Sequence, residues 1–173
     1  MSRTKVLTAA IYCALILGSV VAIGLGDRYN QADALANILK TKMTVLPQAL
    51  SVSEAEGQPL SAKFEMEGGH LQLVVYATKD GKFVKIIVEP ATGMIARVEA
   101  LPEDKIGDAK AQSTVLTKAK IGLKDVVHVA MQDRGMRAVS VMPDMKDGHP
   151  VAAVSVLMGG HGNELKTVSE PMD

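Results

Sequence analysis

Residues 60–67 read Leu60-Ser61-Ala62-Lys63-Phe64-Glu65-Met66-Glu67. Apolar and polar side chains alternate without a break. Successive side chains of an extended chain point to opposite faces, so this stretch makes one apolar face and one charged face, the pattern of a half-buried strand. Its neighbours continue the pattern. Gly68-Gly69 supplies a turn, His70 to Thr78 a second strand, and Asp80-Gly81 a tight hairpin into a third strand from Phe83 to Glu89. Thr92-Gly93 turns the chain again, a short strand follows from Met94 to Ala100, and Pro102 closes the series. Upstream, Pro47 suits the first turn of a helix that Gly57 stops.

Downstream the same order recurs. An Ala-rich helix from Asp108 to Gly122 precedes strand-like stretches at Val126–Met131, Ala138–Met142, Val151–Met158 and Leu165–Val168. The landmarks Gly57 and Gly122, Asp80-Gly81 and Asp147-Gly148, Val98 and Val168, and Pro102 and Pro171 lie 65 to 70 residues apart. A near-constant offset predicts a duplicated unit. The expected fold class is α+β: an N-terminal transmembrane helix, then two units, each a helix packed on a three- to four-stranded antiparallel sheet. The expected segments are 1–26 for the membrane helix, 27–43 for a helical linker, 44–104 for the first unit and 105–173 for the second, diverged one. Within the linker, Ala34, Leu35, Ile38, Leu39 and Met43 recur at helical spacing.

The amino terminus predicts the compartment. No charged residue occurs from Val6 to Gly26, while Arg3 and Lys5 precede that run. Such a run covers about 30 Å as a helix, enough for a bilayer core. Leu7, Ile11, Leu15, Leu17 and Val21 would face lipid as the anchor. The run reads as an uncleaved signal anchor, with a cleaved signal peptide as the alternative. The positive-inside rule keeps Arg3 and Lys5 in the cytoplasm, so the expectation is a single-pass inner-membrane protein with its C-terminal domain in the periplasm.

Composition narrows the function classes. Of 173 residues, 19 are basic and 19 acidic, and only 3% are aromatic, with no Trp. Zero net charge and no aromatic platform argue against a nucleic-acid binder. The single cysteine, Cys13, excludes a disulfide framework and a cysteine-based zinc site.

Leu46-Pro47-Gln48-Ala49-Leu50, Gly57, Tyr76, Asp80-Gly81, Val84, Val88 and Thr92-Gly93-Met94-Ile95 together resemble a PepSY domain. The stretch Glu89-Pro90-Ala91-Thr92-Gly93 departs from that family's pattern by placing Glu where Asp is common. Lys118 to Glu170 resembles a diverged second copy that lacks the Thr-Gly ending. The resemblance implies an exported or membrane-anchored, non-catalytic protein, with protease inhibition one role proposed in the family.

The residues themselves nominate no reaction. There is no G-x-S-x-G elbow, no H-E-x-x-H and no P-loop. Gly159-Gly160-His161-Gly162 reads as a hairpin loop, and the four histidines, His70, His128, His149 and His161, do not pair at helical spacing. The expectation is therefore no enzyme, no cofactor and no metal site. The expected role is a protein-binding module, either an accessory subunit of a membrane complex or an inhibitor- or chaperone-like PepSY protein. The alternative is periplasmic copper handling through methionine and histidine, since Met131, Met136, Met142, Met145 and Met158 cluster in the second half.

In the first unit Phe64, Leu73, Val75 and Ile87 are expected to face the helix carrying Ala49 and Leu50. The opposite sheet face would then carry Val74, Tyr76, Val84, Ile86 and Val88, the expected partner-binding residues. A strand apolar on both faces is usually covered on both. Either a protein partner covers this face or the two units bury it sheet to sheet.

Overall fold

Pro47 sets where the first helix begins. The computed structural model describes residues 45–67, 70–132, 136–158 and 164–173. In it α1 spans Leu46–Ser53 with the proline in its first turn, where an amide has no intrahelical partner to lose. Four strands follow: β1 (Gln58–Glu67), β2 (His70–Lys79), β3 (Lys82–Val88) and β4 (Ile95–Ala100). Two helices come next, α2 (Glu103–Lys118) and α3 (Leu123–Ala130), then β5 (Met136–Lys146), β6 (His149–Met158) and β7 (Glu164–Pro171). Asp80-Gly81 and Asp147-Gly148 all take positive φ, as the two central residues of a type I′ hairpin turn require.

The sheet corrects the expected fold class. All seven strands join one antiparallel sheet in the order β4-β3-β2-β1-β5-β6-β7, in place of two helix-on-sheet units behind a membrane helix. The reason lies at the seam. β1 and β5 each begin a meander and would each leave one edge unpaired. They pair instead with one another, Ala62 opposite Val141 and Lys63 opposite Ser140, which satisfies both edges. The boundary expected at 104/105 falls in the first turn of α2.

The expected single-pass placement in the inner membrane, with a periplasmic domain, is corrected as well. Among the described residues no helix is long and apolar enough to cross a membrane. The expected anchor (Leu7, Ile11, Leu15, Leu17 and Val21) and the 27–43 linker lie outside the described residues.

α1 and α3 lie over one face of the sheet. Leu46, Ala49 and Leu50 of α1 and Leu123, Val126 and Val127 of α3 share a core with Ala62, Phe64, Leu73, Val75, Val141 and Val154. Hence one core serves both halves. α2 crosses the other face, its Ala109 buried with Leu60 and Leu101 and its Leu116 packed against them. The carboxy terminus closes the far side. Met172 is fully buried, and its carbonyl accepts hydrogen bonds from the amides of Lys120 (2.7 Å) and Ile121 (3.1 Å), which pins the α2–α3 joint.

The two halves correspond, but in a different alignment from the expected one. β1 and β5 carry matching bulges, between Pro59 and Ser61 and between Ala138 and Ser140. α1 matches α3, both of 8 residues. Asp80-Gly81 joins β2 to β3 whereas Asp147-Gly148 joins β5 to β6, so those two turns are not equivalents. Val126–Met131, expected as a strand, is mostly helix α3. Leu123, Val126, Val127 and Ala130 are its buried positions, spaced i, i+3, i+4, i+7 as on one helical face. The valines favour a strand locally, and burial against the sheet overrides that preference.

Gly57 and Gly122 also part company. Gly57 has φ +149°, and a Cβ there would sit 2.5 Å from the carbonyl oxygen of Thr78. Gly122 is the N-cap of α3 at φ −76°. Gly57→Ala should therefore cost about 1–3 kcal/mol of stability, and Gly122→Ala no more than about 1 kcal/mol. Urea denaturation of the two variants measures this, and equal losses would contradict the account.

Candidate functional site

The five residues expected to form one binding face do not share a face. Leu73 pairs with Val88, Val75 with Ile86 and Ala77 with Val84, so Val84, Ile86 and Val88 lie on the α1 side with Phe64. Val74 and Tyr76 lie on the side crossed by α2. Ile87, expected beneath α1, pairs with Val74 and shares its face. Val74, Ile86 and Val88 are fully buried within the chain and offer a partner no surface. The phase of β3 is ambiguous in sequence because Ile86, Ile87 and Val88 are contiguous apolar residues. Of the five, Tyr76 alone opens onto a cavity.

That cavity is a cleft of about 340 Å³ between α2 and the sheet. It straddles the β1–β5 seam. Ser61, Lys63 and Tyr76 contribute from one half, and Met142, Asp144 and Ala153 from the other. α2 supplies Lys105, Asp108, Ala109 and Gln112. Ser61 Oγ donates to Gln112 Oε1 at 2.8 Å, tying the helix to β1. Ser140, at the seam on β5 opposite Lys63, is buried and its Oγ finds no partner. Its counterpart is Ser61, whose hydroxyl is the one that reaches Gln112.

Beside the cleft runs a ladder of charges. Lys63 Nζ lies 2.8 Å from Glu65 and 5.6 Å from the centre of the Tyr76 ring, within reach of its π face. Lys85 Nζ sits 3.5 Å from Glu65 and 3.4 Å from Glu67. The side chains of Lys63, Glu65 and Lys85 are each 13% exposed, which places their aliphatic stems over the sheet around Val74. Charged residues thus cover an apolar strand that, among the described residues, no helix covers here. Burial raises the Tyr76 pKa above the ordinary tyrosine value, and Glu65 adds to the rise. Burial opposes charge on Lys85, but Glu65 and Glu67 outweigh it and its pKa is raised.

The Ser61 hydroxyl is bonded to an amide rather than a base, and Tyr76 keeps its proton well into the alkaline range. Among the described residues no group of three or more His, Cys, Asp or Glu side chains could hold a metal ion. His70 starts β2, His128 lies on α3, and His149 starts β6, where its Nδ1 stands 2.9 Å from the Asp173 carboxylate. His161 lies outside the described residues. Met131 and Met136 pack against the main core, and Met142 lines the cleft. Lys105, Asp108 and Gln112 carry no motif, and only the docking of α2 across the seam brings them to the site.

No family model matches the chain, and no curated protein matches it. Among solved structures, a crystal structure of a "putative lipoprotein" from Clostridium difficile 630 is 12% identical, covering 82% of this chain and 92% of that one, with a TM-score of 0.31. At that score the likeness carries no argument about fold or role.

Both raised pKa values act in the same direction. A group whose pKa is raised on folding contributes stability that is complete below its unfolded pKa and is lost as pH rises through the folded value. Stability should therefore hold to about pH 10 and fall above it. Glu65→Gln should flatten that alkaline loss, because Glu65 raises both Tyr76 and Lys85. Urea midpoints recorded from pH 8 to 11 measure it, and an unchanged slope in Glu65→Gln would count against the ladder.

Proposed function

We propose that the chain is a non-catalytic, PepSY-like protein-binding module that holds a segment of a partner protein in the cleft between α2 and the sheet. The observation that carries this reading is the cleft itself. Apolar side chains form much of its wall, while Lys63, Tyr76, Lys105, Asp108 and Asp144 furnish polar contacts. A concave apolar site with a few fixed polar groups suits recognition. An accessory subunit would use such a site, and so would an inhibitor, the role that the PepSY resemblance implies.

Photo-crosslinking in the cells that make the protein tests the proposal. A crosslinking residue replacing Lys105 at the cleft should trap one partner of discrete mass. The same residue replacing Val129, 47% exposed on α3, should not. Tyr76→Ala should reduce the Lys105 adduct. Equal adducts from both positions, or none from Lys105, would overturn it.

A second reading, Cu(I) handling, draws on one observation. Met136 stands directly across from Met158, and Met131 Sδ accepts a hydrogen bond from the amide of Ala138 at 3.3 Å. Three thioethers thus gather near one end of the β5–β6 hairpin, and thioethers suit Cu(I). Titration of the full chain with Cu(I) under reducing conditions decides it. Tight binding lost in Met136→Leu/Met158→Leu supports the reading, and no binding disposes of it.

A further inference from the structure

β4 is an edge strand, and among the described residues the sheet provides no neighbour on its outer side. Its sequence runs Ala96-Arg97-Val98-Glu99-Ala100. Reversed, it keeps the same sizes at the centre and ends and exchanges the two charges. The amide of Leu101 donates to the carbonyl of Phe83 at 3.1 Å, and Glu99 lies opposite Lys85. Antiparallel ladders alternate, so Ala100 and Val98 direct their backbone groups away from β3. Val98 is 39% exposed, and Met94, just ahead of the strand, is 66% exposed. Arg97 contacts Glu99 on the same face of the strand.

We propose that a second copy of this chain pairs with β4, antiparallel, about a two-fold axis through Val98. In that register Arg97 of each copy faces Glu99 of the other, Val98 faces Val98, and Ala96 faces Ala100. Opposite charges directly across a ladder stabilise it and like charges destabilise it. Centring the axis on Arg97 or Glu99 would set like charges face to face, so the charges select the Val98 register. A two-fold contact of this kind uses one patch twice and closes. Both copies would then carry α1 and α3 on the same side of one continuous sheet. The bulge between Ile87 and Val88 bends β4 near Ala96 and confines the pairing to the segment around Val98.

The opposite edge, β7, also reverses in charge, as Lys166-Thr167-Val168-Ser169-Glu170. Val168, however, is half-buried, and Pro171 has no amide to donate. β4 is the better edge.

The test uses the full-length chain with Cys13→Ser and Val98→Cys. Mild oxidation should yield a disulfide-linked dimer, since the paired strands bring the two cysteines within bridging distance. Adding Arg97→Glu should lower the yield about tenfold, and Arg97→Glu/Glu99→Arg should restore it. Circular dichroism confirms that each variant is folded. Three outcomes overturn the proposal: no dimer from Val98→Cys, a yield indifferent to Arg97→Glu, or a dimer linked only through Val168→Cys.

Discussion

The pairing of β1 with β5 is the contact on which the remaining architecture depends. Ala62 and Val141 face one another there, and neither is more than 1% exposed. Two strands that begin separate meanders thereby lose their open edges, and their backbone groups find partners without water. Everything above and below then has a continuous floor. α1 and α3 can share one core because Phe64, Val75, Val141 and Val154 belong to one surface. α2 can then bridge the seam from the opposite side.

That bridge makes the site. A helix laid across both halves meets Ser61 and Tyr76 from one and Met142 and Asp144 from the other. The cleft lies beneath α2 along this seam, with the small side chain of Ala153 on β6 among its lining. Where α2 ends, the Lys63–Glu65–Lys85–Glu67 ladder takes over as cover. One face of one sheet is therefore apolar and recessed on one side and sealed by paired charges beside it. Lys63 and Tyr76 stand at the border between the two.

Much of this was legible in the sequence where side chains alternate. Residues 60–67 give β1, with Ala62 and Phe64 turned inward, and the two Asp-Gly turns mark hairpins. Legibility fails where alternation fails. Ile86, Ile87 and Val88 carry no phase, so the faces of β3 come out reversed, and with them three of the five expected site residues. Val126, Val127 and Val129 suggest a strand, although Leu123, Val126, Val127 and Ala130 are spaced as one helical face. Pro102, with Glu103 and Asp104 in the first turn, marked the start of α2 ahead of Asp108. The seam itself had no local signal. A strand's unpaired edge looks the same in sequence whether it meets water or a strand from the other half, and the cleft inherits that invisibility.

Native-state hydrogen exchange on the full-length chain tests the single sheet most directly. If the β1–β5 seam joins both halves into one cooperative unit, the amides of Val74 and Val75 in β2 and of Val154 and Ser155 in β6 open together. Their opening free energies should then converge on a single value as denaturant is added. Two separate limits, one for β2 and one for β6, would mean that the halves unfold independently and would contradict a shared sheet and core.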